Sequence, residues 1–67
     1  MKNTIGVELT EGERILVDCY QMLVKTLRER TDLPPFARRN SLKAVSALWQ
    51  VANGLDMDPG QLYDIGA

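Results

Sequence analysis

The sequence predicts an all-α fold: an antiparallel helical hairpin with a short C-terminal third helix, two copies of which dimerise into a four-helix bundle. Three observations carry this expectation. Apolar residues recur at helical spacing over two long segments, and a double proline separates those segments. Both apolar arcs are also wider than one neighbouring helix needs.

Residues 1–9 form an N-terminal arm. Ile5, Val7 and Leu9 alternate as in a strand, but the run is too short to make a sheet alone. Residues 10–67 form a single helical domain. Its first helix, about 11–31, opens at Thr10-Glu11-Gly12-Glu13, a capping box in which Thr10 accepts the Glu13 backbone N–H and Glu13 returns to Thr10. At about 100° per residue, Ile15, Leu16, Val17, Cys19, Tyr20, Met22, Leu23, Val24 and Leu27 share an arc of about 220°. Arg14, Asp18, Gln21, Lys25, Arg28 and Glu29 fill the polar remainder. Arg14/Asp18, Lys25/Glu29 and Arg28/Asp32 stand four residues apart as weak ion pairs.

Leu33-Pro34-Pro35 ends that helix, because each proline pushes the preceding residue towards extended geometry. Pro35 is then suited to the first position of a second helix, about 35–54, where its missing N–H costs nothing. A later start capped by Asn40 or Ser41 is the alternative. Along the continuous helix, apolar residues from Phe36 to Leu55 cover about 240°. Asn53-Gly54 signals its stop. Asp58-Pro59-Gly60-Gln61 offers a third start, with Asp58 as N-cap and Pro59 first in a helix over 59–65. Leu62, Tyr63 and Ile65 would then lie as a cap on the open end of the hairpin.

A helix resting on one neighbour needs an apolar stripe of about 100°, and both long helices show twice that. The arm and the third helix bring few large apolar side chains to cover the excess. Self-association is therefore expected, with Leu16, Cys19, Tyr20, Leu23, Leu27, Val45, Leu48 and Ala52 at the dimer interface.

Composition excludes much chemistry. The chain has 67 residues, no His and one Cys, which rules out a disulfide scaffold, a zinc module and His-based catalysis. An EF-hand loop starting at Asp56 would need Gly at 61 and Glu at 67, where Gln61 and Ala67 stand. Cys19 has no activating base beside it and reads as a small buried core residue. No catalytic residues, metal site or cofactor are expected, and the chain is not read as an enzyme. Met1 to Val7 meets Glu8 before an apolar targeting segment develops, and the uncharged stretch from Ala44 to Leu55 is too short to span a bilayer. A cytoplasmic location without membrane contact is expected.

Charge is uneven although the total is −1. Residues 25–43 hold Lys25, Arg28, Arg30, Arg38, Arg39 and Lys43 against Glu29 and Asp32, so the bend is basic and the open end acidic. Part of this complements helix dipoles. The stiff proline pair, with Leu33 and Phe36 beside it, makes the bend a candidate docking tip. The expected partner contacts are Leu33, Phe36, Arg38, Arg39, Lys43 and Trp49, and the partner is another protein with acidic character. The function expected is a small regulatory or adaptor protein acting as a homodimer. The alternative is a nucleic-acid-binding transcriptional regulator using the basic bend, with weak binding.

Residues 48–66, from Leu48-Trp49-Gln50 through Asp58-Pro59-Gly60 to Ile65-Gly66, resemble the closing helices of Cro/repressor-type helix-turn-helix domains. The resemblance covers under a third of the chain and implies DNA binding. Upstream, one long helix and the proline bend stand where that family has its two short DNA-reading helices. The resemblance therefore assigns no family.

Overall fold

The computed structural model describes residues 1–66. Two long helices, α1 (Glu11–Glu29) and α2 (Pro35–Gly54), are followed by a single 3-10 turn, η1 (Tyr63–Ile65). Residues near the bend face each other, as do those near the open end: Leu27 lines one recess with Arg38, and Val17 another with Ala52. The helices therefore run antiparallel, as a five-residue connection requires.

α1 begins where its capping box places it. Glu13 N–H donates to Thr10 Oγ1 at 3.1 Å, and Thr10 N–H donates to Glu13 Oε1 at 2.8 Å. It ends at Glu29, two residues before the expected limit, where Arg30 turns extended at φ −88° and ψ 135°. α2 runs unbroken from Pro35. Asn40 does not cap a later start; its Nδ2 donates to the Phe36 carbonyl one turn back.

α2 stops at Gly54, the expected limit, but the geometry of the stop differs from a glycine cap. Gly54 is still helical, and the left-handed residue is Asp56, at φ 59°. Met57 N–H donates to Ala52 O at 3.0 Å and Asp56 N–H to Asn53 O at 3.1 Å. These paired bonds form a Schellman stop with aspartate in the usual glycine place.

The third element differs more. Gly60 sits at φ 73°, outside the helical region, so no helix grows from Pro59. Asp58 accepts from Gly60 N–H at 3.2 Å, closing a local turn instead of capping a helix. What remains is an irregular tail, 56–62, ending in η1. It is held on one face of the hairpin by three side chains. Tyr20 Oη donates to Pro59 O at 2.7 Å, Trp49 Nε1 donates to Gly60 O at 3.0 Å, and Arg28 reaches both Gln61 O and Asp64.

The core runs between helices and tail. Tyr20, Val24, Leu27, Val45, Ala52, Leu62 and Ile65 form one buried cluster, with Leu23, Leu33, Leu42, Leu48, Trp49 and Met57 packed against it. The arm folds back on itself through a single Lys2–Glu8 bridge. It docks on the stop of α2, where Thr4 N–H donates to Asp56 O and Asn3 Nδ2 to Leu55 O. Ile5 and Val7 stay exposed, so the arm covers little of the helices' apolar surface.

Candidate functional site

Two surfaces are left for function: the hairpin face away from the tail, and the bend. The first follows from helical phase. At 100° per residue, Arg28 lies on one side of the α1 core stripe, and Leu16 and Leu23 on the other. On α2, Trp49 marks the tail side, and Ala44, Leu48 and Val51 the opposite one. The tail-free face therefore presents Leu16, Cys19 and Leu23 beside Ala44, Ala47, Leu48 and Val51, with no Asp, Glu, Lys or Arg among them. Leu16 is 44% and Val51 36% exposed, and Ile15 and Met22 extend the apolar rim of α1.

Of the residues expected at a dimer interface, Tyr20, Leu27, Val45 and Ala52 are buried within the single chain. Their packing is intramolecular. Leu16 and Cys19 are exposed and Leu23 and Leu48 half-buried, so these four remain on the tail-free face. Cys19 is thus not a core residue: it falls on the flank of α1 that neither α2 nor the tail reaches.

The six expected partner contacts do not form one site. Phe36 projects from the bend at 66% exposure, and Arg39 and Lys43 are exposed along α2 without an ion pair among the described residues. Leu33 is half-buried against the core. Arg38 turns back on α1, where Nη1 donates to Leu27 O at 3.0 Å and satisfies a carbonyl that the helix end leaves open. Trp49 stands more than three helical turns from Phe36 and belongs to the tail clamp, not to the bend.

Of the three ion pairs that spacing predicts, Arg14–Asp18 forms, while Lys25–Glu29 and Arg28–Asp32 do not form among the described residues. Arg14 pairs with both Glu11 and Asp18. Arg28 leaves Asp32 and takes Asp64, 36 residues away, because η1 brings that carboxylate alongside. Asp32 pairs instead with Arg30. The hydrogen bond from Arg28 is the main reason the Asp64 carboxyl lies below its ordinary value, and that from Arg30 does the same for Asp32. Burial pushes the Tyr20 phenol up. Arg28, Arg30 and Arg38 meet at a recess of about 350 Å³ at the bend, a juxtaposition that sequence reasoning did not single out. Its only prior signal was the general excess of cations.

Tyr63 was expected to cap the open end together with Leu62 and Ile65. Leu62 and Ile65 are buried, but Tyr63 is 83% exposed, on the side of η1 away from the core. Residues 48–66 likewise form the end of α2, an irregular tail and one 3-10 turn, with no second closing helix. Among the described residues no three His, Cys, Asp or Glu side chains converge to hold a metal. No helix among them is long and apolar enough to cross a membrane. Compared with protein-family profiles, curated proteins and solved structures, the chain gives no significant match.

Proposed function

We propose that the chain is a non-enzymatic regulatory or adaptor module that works as a homodimer. Two copies meet through their tail-free faces as a four-helix bundle, leaving both bends and both tails outside for a protein partner. The observation that carries this reading is the uncharged apolar face built by Leu16, Cys19, Leu23, Leu48 and Val51. The accessible area of 4627 Å² also exceeds the roughly 4,250 Å² of a compact monomer of this mass. Two helices of this length side by side project about 600 Å², and their corrugated surface more. That suits the roughly 800 Å² per partner of a standard stable interface.

Sedimentation equilibrium of the wild type and of Leu16→Asp tests the proposal. The expected result is a dimeric wild type and a monomeric variant with its helical signal retained, since Leu16 is already part-exposed in the single chain.

The nucleic-acid reading rests on Lys25, Arg39 and Lys43, the exposed cations of residues 25–43 outside the ion pairs among the described residues. Three per protomer supply few phosphate contacts, enough only for weak binding that falls steeply with salt.

A further inference from the structure

The recess at the bend is lined by Leu27, Arg28, Arg30, Thr31, Leu33 and Arg38. Three of these six lining residues are arginines, and no carboxylate is among them. Two of the three arginines are paired elsewhere in the chain. Asp64 accepts from Nε and Nη2 of Arg28 at 2.6 and 3.1 Å, and Asp32 accepts from Nε and Nη2 of Arg30 at 3.0 and 2.7 Å. Arg38 has no carboxylate. Its Nη1 is fixed by the Leu27 carbonyl, and its Nε and Nη2 make no hydrogen bond within the described chain. Two arginine–carboxylate forks are filled and the third is open.

We infer that this recess binds an acidic segment of a protein partner, one partner carboxylate completing the fork at Arg38. The neighbouring arginines already hold planar carboxylates in the two-bond geometry that guanidinium favours. Arg38 is half-buried and tethered to the end of α1, so little side-chain freedom is lost when it binds. Leu27 and Leu33 give the recess an apolar floor for the methylenes of a glutamate, and the lower local dielectric strengthens the charge-assisted bonds. The inference rests on reading the chain as a partner-binding module, and it does not depend on dimerisation.

The test titrates the isotope-labelled full chain with a hexaglutamate peptide and, separately, with inorganic phosphate at matched ionic strength. Arginine side-chain N–H signals are followed by NMR, and the same samples are sedimented. Hexaglutamate is expected to give saturable shifts at Arg38 Nε and smaller ones at Arg28 and Arg30. Arg38→Gln weakens the affinity about tenfold, the loss of one charge-assisted pair. Arg39→Gln changes it less than about twofold. Arg30→Gln, at an exposed residue whose side chain bonds only to Asp32, keeps the backbone bond to Thr26 O, leaves the fold intact and also weakens binding. The inference is overturned if Arg38 and Arg39 shift alike without saturation, or if both Arg30→Gln and Arg38→Gln bind as the wild type does. Shifts at Arg38 with phosphate but not with hexaglutamate overturn it too. A chain that sediments as a monomer yet saturates with hexaglutamate removes the dimer and keeps the recess.

Discussion

Leu62→Ala tests whether the tail belongs to the core. Leu62 is 8% exposed and lies in the cluster with Tyr20, Val24 and Val45. Truncating a buried leucine costs about 2–5 kcal/mol, from lost transfer energy and the cavity left behind. A domain of this length has roughly 3–10 kcal/mol of total stability, so the substitution removes a large share. At a urea slope of about 1 kcal/mol per molar, the midpoint falls by about 2 M or more. The assay is urea denaturation at fixed protein concentration, followed by circular dichroism and by Trp49 fluorescence together. Trp49 is the single tryptophan and donates to the Gly60 carbonyl, so its emission reports the tail while the dichroism reports the helices. Both signals are expected to move together, before and after the substitution. A midpoint shift below about 0.5 M would refute the reasoning. So would a wild-type fluorescence transition completed before the helices begin to melt, because the tail would then be an independent flap.

Three further outcomes follow from the same contacts. Tyr20→Phe removes the 2.7 Å bond to Pro59 O and is expected to cost about 0.5–1.5 kcal/mol in the same melt, the ordinary net worth of one such bond. Because Arg28 holds the Asp64 carboxyl below its ordinary 3.8, the stability from this pair is complete above that value. It is lost as pH falls through the lowered value, so the acid limb of a stability–pH curve should flatten in Asp64→Asn. Cys19 is exposed in the single chain but lies on the tail-free face. Its reaction with a thiol reagent should be fast in dilute solution and slow as concentration rises, whereas a rate independent of concentration would count against the proposed interface.

Legibility in the sequence followed locality. The start of α1 was readable because Thr10 and Glu13 bond each other across three residues. The bend was readable because proline geometry acts on its immediate neighbour. The tail was not. Asp58-Pro59 has the residues of a helix start, but Gly60 adopts positive φ, and the carbonyls of Pro59 and Gly60 are taken by Tyr20 and Trp49 from 39 and 11 residues away. Periodicity placed all eight interface candidates on apolar arcs, but it cannot divide an arc between a neighbour in the same chain and one in another. The tail decides that division by covering one flank and leaving Leu16, Cys19 and Leu23 on the other. Arg38 shows the same limit: its charge was legible, and its tether to Leu27 across the bend was not.

The central claim is that the tail-free face joins two copies, and sedimentation equilibrium over low to high micromolar concentration tests it most directly. The account predicts a species of twice the 7.5 kDa chain mass for the wild type, and of the single chain mass, still helical, for Leu16→Asp. A wild-type chain that stays at 7.5 kDa across that range would contradict it.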